Sequence, residues 1–121
     1  GRHGCNEVWI SGSGFARDHT AITGEKLTAE QIIASDSVAA KASFERLCDR
    51  IARALGAVIN VVDPDAIVFG GGLSNVDALY SNIPKIWSKY IFSDVIETRL
   101  VKNKHGPSSG VRGAAWLWPL Y

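Results

Sequence analysis

The sequence contains no methionine, not even at position 1. A translated chain opens on methionine, so the expectation is a piece processed or cut from a longer polypeptide. Cysteine is scarce, with two in 121 residues. Cys5 sits in a glycine-rich opening and Cys48 on an apolar stripe, so no disulfide framework is predicted and a reducing cytoplasm fits best. Neither sign of charge predominates: 13 Lys and Arg face 12 Asp and Glu, a net charge of +1. That balance gives no electrostatic footprint for a nucleic-acid partner. No apolar run approaches the roughly 18 residues of a membrane span, and no signal peptide is readable. No internal repeat, no low-complexity segment and no Ser-His-Asp or Cys-His arrangement stands out.

What is present reads as one soluble domain of ordinary composition, 46% hydrophobic and 21% charged. Residues 7–22 are apolar and helix-like but interrupted by Ser11-Gly12-Ser13-Gly14. Glycine weakens a helix and serine offers a fresh N-cap, so two short helices are expected to meet there and to end at Gly24. Thr28-Ala29-Glu30-Gln31 is a capping box opening a short helix to about Ala34. Ser35, Asp36 and Ser37 supply the next cap. Phe44, Leu47, Cys48, Ile51, Leu55, Val58, Ile59 and Val62 then recur at three- and four-residue intervals, one face of a long helix that Asp63-Pro64 stops.

Ala66-Ile67-Val68-Phe69 predicts a strand buried on both faces. Gly70-Gly71-Gly72 follows directly, and Ser74 or Asn75 is expected to cap another helix. Its inner face is Val76, Leu79, Tyr80, Ile83, Trp87, Tyr90 and Ile91, with a break or restart at Pro84. Residues 98–104 read as a second strand. Ser109 caps a last short helix through Trp116. The order describes a helix-rich α/β piece, with two strands that belong to a larger sheet.

The strand–glycine–helix unit can let a ligand approach the backbone and meet helix amides. The same pattern serves a tight turn that avoids Cβ clashes. It matches neither G-x-G-x-x-G nor a P-loop. Cys5 resembles the closing limb of a zinc knuckle, with His3 nearby but placed as a solvated loop residue. Glu7 fits either a first-turn carboxylate stabilised by the helix dipole or an acceptor for adjacent sugar hydroxyls. His19 and His105 read as surface or turn residues. Trp9, Trp87, Trp116 and Trp118 read as core or interface. Asp63, Asp65 and Asp77 read as helix stop, strand start and helix cap.

Three segments together resemble one family. GRHGCNEVWISGSGF is similar to the end of the cysteine-rich motif of ROK sugar kinases and sugar-responsive repressors, C-x-C-G-x-x-G-C-x-E with a following Ser-Gly. Gly1, Gly4, Cys5, Glu7, Ser11 and Gly12 match. DPDAIVFGGGLSN resembles the family's adenosine-side motif, and HGPSSGVRGAAWLW the C-terminal segment of bacterial fructokinases and mannokinases.

The resemblance implies the C-terminal part, residues 1–121, of an actin-like ATPase (ribonuclease H-like) sugar kinase. It implies ATP with Mg2+ as phosphoryl donor, a hexose as acceptor, Zn2+ in the parent protein and a homodimer. By the same resemblance Cys5 falls on the last zinc thiolate and Glu7 on the glutamate that binds sugar hydroxyls. Gly70, Gly71 and Gly72 fall on the glycines beside adenosine, and Asn75 near the same pocket. The family's catalytic aspartate, its phosphate loops and the other zinc ligands match nothing in this sequence. The implied parent activity is ATP-dependent phosphorylation of fructose at its 6-hydroxyl, the isolated 121 residues being inactive and unable to hold zinc. The alternative is the effector-sensing domain of a sugar-responsive repressor.

Overall fold

In a computed structural model, residues 3–106 and 108–117 are described. Gly1 and Trp118 lie outside them. The described chain forms six α-helices and two strands: α1 (Glu7–Ile10), α2 (Gly12–Thr23), α3 (Ala29–Ala34), α4 (Val38–Val62), β1 (Ala66–Phe69), α5 (Asp77–Ile86), β2 (Arg99–Lys102) and α6 (Ser109–Ala115). Single 3-10 turns cover Gly72–Asn75 and Trp87–Tyr90.

The local signals act as their chemistry dictates. Ser11 ends α1 and caps α2, its hydroxyl accepting from Gly14 N at 3.1 Å. Gly24 closes α2 in the left-handed region, φ 79°. The Thr28 capping box is complete in both directions, at 2.8 and 3.3 Å. Ser37 caps α4 through Ala40 N. Asp63, at φ 46°, terminates α4 with its N–H on Ile59 O, and Pro64 prevents any continuation.

α4 is the spine. Ala40, Ser43, Leu47, Cys48, Ile51, Ala52, Gly56 and Ile59 are its buried face, and Phe15, Ile32, Leu79, Ile83, Trp87 and Ile91 complete the core around it. The predicted stripe is therefore corrected at its C-terminal end. Val58 is 44% exposed and Val62 65%, because the buried stripe follows the small residues Ala52 and Gly56. At Gly56 a Cβ would lie 2.7 Å from Tyr90 Cβ, so glycine is what lets that segment approach.

The two strands pair in parallel, Ala66 opposite Arg99 through Phe69 opposite Lys102. The expectation that β1 is buried on both faces fails. Ile67 and Phe69 are half-buried against the core, while Ala66 and Val68 are exposed. Among the described residues helices cover only one face of this pair, so the strand shows an alternating pattern.

Pro84 is the second correction. It neither breaks nor restarts the helix: α5 runs through it to Ile86 and only then tightens into the 3-10 turn. Burial of Ile83 and Trp87 on either side holds the segment helical despite the missing N–H. Asp77 is the first residue of α5 rather than its cap, and its carboxylate accepts from Lys102 Nζ at 2.8 Å. Ser109 is likewise the first residue of α6, its hydroxyl donating to Gly106 O. Trp87 is buried and Trp9 half-buried, but Trp116 is 89% exposed and so not in the core of the described chain.

His19 is the third correction. It is fully buried, with Nδ1 2.8 Å from Ser43 Oγ and Nε2 3.2 Å from Glu25 Oε2. Arg46 donates to the same Ser43 oxygen at 2.9 Å. The Nε2–H tautomer satisfies every group: arginine donates to serine, the serine hydroxyl to Nδ1, and Nε2–H to the glutamate.

The hinge between α1 and α2 depends on Gly14, where an added Cβ would stand 2.3 Å from Val8 O. That neighbour is backbone and has no rotamer to escape into. Gly14→Ala is expected to destabilise the protein by about 2 kcal/mol or more, displacing α1. Thermal denaturation of the variant beside wild type checks it; an unchanged midpoint would mean α1 shifts freely.

Candidate functional site

β1 ends at Phe69 and delivers Gly70, Gly71 and Gly72 at the carboxyl end of a parallel pair, where open α/β sheets present their ligand sites. Gly71 requires glycine for its backbone, at φ 72°. Gly70 and Gly72 do not, and a Cβ at any of the three would meet nothing within 4 Å. The clash-avoiding turn is thus not the reason for three glycines here. They leave open space beside the backbone.

That space is an open cleft of about 410 Å³. Its lining includes Glu7, Ser11 and Gly12 together with the three glycines. Ile10, Ile51, Leu55, Phe69 and Leu73 form its apolar wall. Two stretches more than fifty residues apart in sequence therefore meet in one concavity.

Glu7 opens α1 and is exposed. Its helix is only four residues long, so its position comes from tertiary contacts. Arg17 Nη2 donates to Val8 O at 2.6 Å. The Arg50 guanidinium lies 5.2 Å above the Trp9 ring, and Trp9 Nε1 donates to His3 O. Arg50 is in turn fixed by Asp18, whose two carboxylate oxygens accept from Arg50 at 2.7 Å and Arg46 at 3.2 Å. Burial acts to raise the Asp18 pKa, but the hydrogen bonds and charges of the two arginines outweigh it and hold the carboxyl below its usual range.

Cys5 is an exposed free thiol, and His3 is exposed. Among the described residues no three His, Cys, Asp or Glu side chains converge on a metal position. One thiolate does not suit a zinc ion that needs four ligands, so no chemistry of this chain is routed through zinc. Cys48 is buried, and burial together with Glu45 pushes its thiol up to about 11, which keeps it protonated and unreactive. Asn75 is exposed at the end of the 3-10 turn, outside the cleft lining, and α5 takes Val76 as its N-cap without a side-chain bond. The neighbouring Ser74 is the residue that matters locally: buried, it donates to Gly71 O at 2.7 Å.

The model of the ROK family matches residues 1–120. The chain belongs to the ROK family. It is 38% identical over 117 residues to an N-acetyl-D-glucosamine kinase of Photobacterium profundum, covering 94% of this chain and 39% of that protein. It is 37% identical over 120 residues to the enzyme of the same name from Escherichia coli O1:K1, covering 97% of this chain. The chain spans about 40% of the length of these curated relatives. Among solved structures, a ROK glucokinase from Streptomyces griseus in complex with glucose and AMPPNP superposes with a TM-score of 0.80 at 21% identity, over 97% of this chain and 45% of that one. A ROK hexokinase from Thermus thermophilus gives 0.78 at 19%, over 97% of this chain and 41% of that one. The fold is thus the helix-rich α/β arrangement of the actin-like ROK sugar kinases.

Two features of this ROK chain were missed in reading its sequence, and only one of them left no signal there. Ser74 and Asn103 touch across the strand pair at 2.9 Å, a contact set by parallel register and not by any local spacing. The buried His19–Ser43 pair did leave a trace: Ser43 falls on the apolar stripe of α4, four residues before Leu47.

Proposed function

We propose that this chain is the C-terminal part of an ATP-dependent hexose kinase that transfers the γ-phosphate to the sugar 6-hydroxyl. The observation that supports the reading is the shared cleft, whose lining brings together an exposed glutamate, Glu7, and a glycine backbone with unfilled space beside it. Glu7 accepts hydrogen bonds from two hexose hydroxyls. Gly70, Gly71 and Gly72 let the nucleotide's adenosine lie against the main chain, with Asn75 at the margin. The apolar wall limits water around both ligands. Mg2+ bound to the triphosphate would neutralise the transferring charge; none of the residues named here is assigned to it. Catalytic base and phosphate grip come from the part of the kinase outside these 121 residues. The same holds for the partners of Cys5 in a zinc site.

Fructose is the narrower proposal, supported by the fructokinase-like HGPSSGVRGAAWLW segment, while the relatives named above act on N-acetyl-D-glucosamine by name. A cytoplasmic homodimer completes the reading; among the described residues no helix is long and apolar enough to cross a membrane.

The test is ADP release by the full-length polypeptide with ATP and, in turn, fructose, mannose, glucose and N-acetylglucosamine. Turnover with at least one hexose is expected, and fructose giving the highest kcat/KM supports the narrower proposal. The 121 residues alone are expected to give none. Absence of turnover with all four sugars overturns the kinase reading.

A further inference from the structure

The glycine loop is held at both ends by one side chain from the neighbouring strand. Asn103 follows β2 directly, as Gly70 follows β1. Its Nδ2 donates to Phe69 O at 3.0 Å, the carbonyl immediately before the three glycines. The same nitrogen donates to Ser74 Oγ at 2.9 Å, two residues after them. Ser74 Oγ passes the link inward by donating to Gly71 O, and Tyr80 OH secures Ser74 O at 2.8 Å.

The amide orientation is fixed by chemistry, because Phe69 O can only accept and so must face the nitrogen. In this pose Asn103 Oδ1 is buried and has no partner among the described residues. Buried polar atoms are usually satisfied. Here the side chain leaves its own acceptor unmet while both bonds of its donor end go to the loop. A loop of three glycines has little stiffness of its own, since glycine samples both signs of φ freely. Something outside it must set its curvature.

We propose that Asn103 is a positioning residue for the nucleotide, its side-chain amide bracketing the glycine loop and fixing the shape against which adenosine rests. This rests on the nucleotide reading of that loop. Asn103 touches no ligand; it acts through Phe69 O and Ser74. The side chain bonds the residues that flank the glycine loop and none of those around Glu7, so its loss should separate the two substrates.

The test is steady-state kinetics and ADP binding by calorimetry on the full-length kinase, comparing wild type with Asn103→Asp and Ser74→Ala. Asn103→Asp keeps the shape but replaces the donor with a second acceptor facing Phe69 O. KM for ATP and Kd for ADP are expected to rise about tenfold, with KM for the hexose unchanged within about twofold. Ser74→Ala should move the same two constants in the same direction. The double variant should lose less than the product of the two, since both remove one linkage. An N103D protein that binds ADP as tightly as wild type overturns the proposal, as does an equal rise in both Michaelis constants. A lowered melting temperature with both constants unmoved overturns it too, marking a merely structural clamp. If wild type itself binds no ADP, the nucleotide reading fails and this inference fails with it. If wild type binds ADP but phosphorylates no hexose, the kinase reading fails while the binding comparison still decides the role of Asn103.

Discussion

Replacing Asp18 with alanine is expected to destabilise the protein by about 3 kcal/mol. Asp18 is nearly buried, its side chain 10% exposed, and it serves two cations. Removing it leaves the Arg50 guanidinium, itself 12% exposed, without its carboxylate. Breaking a buried pair from one side costs more than the pair contributes, because the surviving charge remains desolvated. Arg46 is one-third exposed and can turn to water, which keeps the estimate at the low end. The loss should spread further than one ion pair. Arg50 would be free to leave the Trp9 ring, and Arg46 its bond to Ser43, which orients the buried His19.

The same carboxylate gives a pH dependence with a definite sign. Its folded pKa lies below its unfolded value, so its contribution is complete above the unfolded pKa of about 4. As pH falls from there through the folded pKa, the unfolded chain binds the proton first and the contribution is lost. Urea denaturation from pH 7 down to pH 3 should show wild type converging on Asp18→Ala. Parallel curves separated by a constant difference across that range would show that Asp18 is not linked to folding in this way.

Much of this architecture is legible in the sequence for local reasons. A capping box, an Asp-Pro stop, a left-handed glycine and an apolar stripe recurring every three or four residues act within a few residues of themselves. The glycine motif was legible for the same reason, since three consecutive glycines at a strand end are visible without knowing what they face. What stayed hidden depends on pairing at long range. His19 read as a surface residue because its partners, Ser43 and Glu25, come from α4 and from the turn after α2. Pro84 read as a break or a restart because propensity is local, whereas the burial of Ile83 and Trp87 that overrides it is tertiary. The strand read as doubly buried because its composition is apolar throughout, while only the chain around it decides how many faces are covered.

On the proposed kinase reading, Glu7→Ala is expected to produce the largest functional effect, raising KM for the hexose by about a thousandfold in the full-length protein. Each hydrogen bond to a charged acceptor contributes about 1.5–3 kcal/mol, and a carboxylate facing two adjacent hydroxyls supplies two. Glu7→Gln should retain more, because one carbonyl oxygen still accepts and a hydroxyl can turn to accept from the amide NH2; about a tenfold to hundredfold rise is expected. KM for ATP should stay within about twofold in both variants, since Glu7 comes from α1 and the proposed adenosine contacts come from the glycine loop after β1. Stability separates this from a packing effect. Glu7 is exposed and makes no side-chain cap, so its removal should move folding free energy by no more than about 0.5 kcal/mol. The contrast with Asp18 follows from the geometry: Asp18 holds α1 in place through Arg50 and Trp9, and Glu7 is what α1 presents. Asp18→Ala should therefore lower stability and raise KM for the hexose together, whereas Glu7→Ala should raise KM alone. Measuring both constants and both melting temperatures in one series decides it. A hexose KM unmoved by Glu7→Ala would remove the carboxylate from the sugar site and leave it as a solvated first-turn residue.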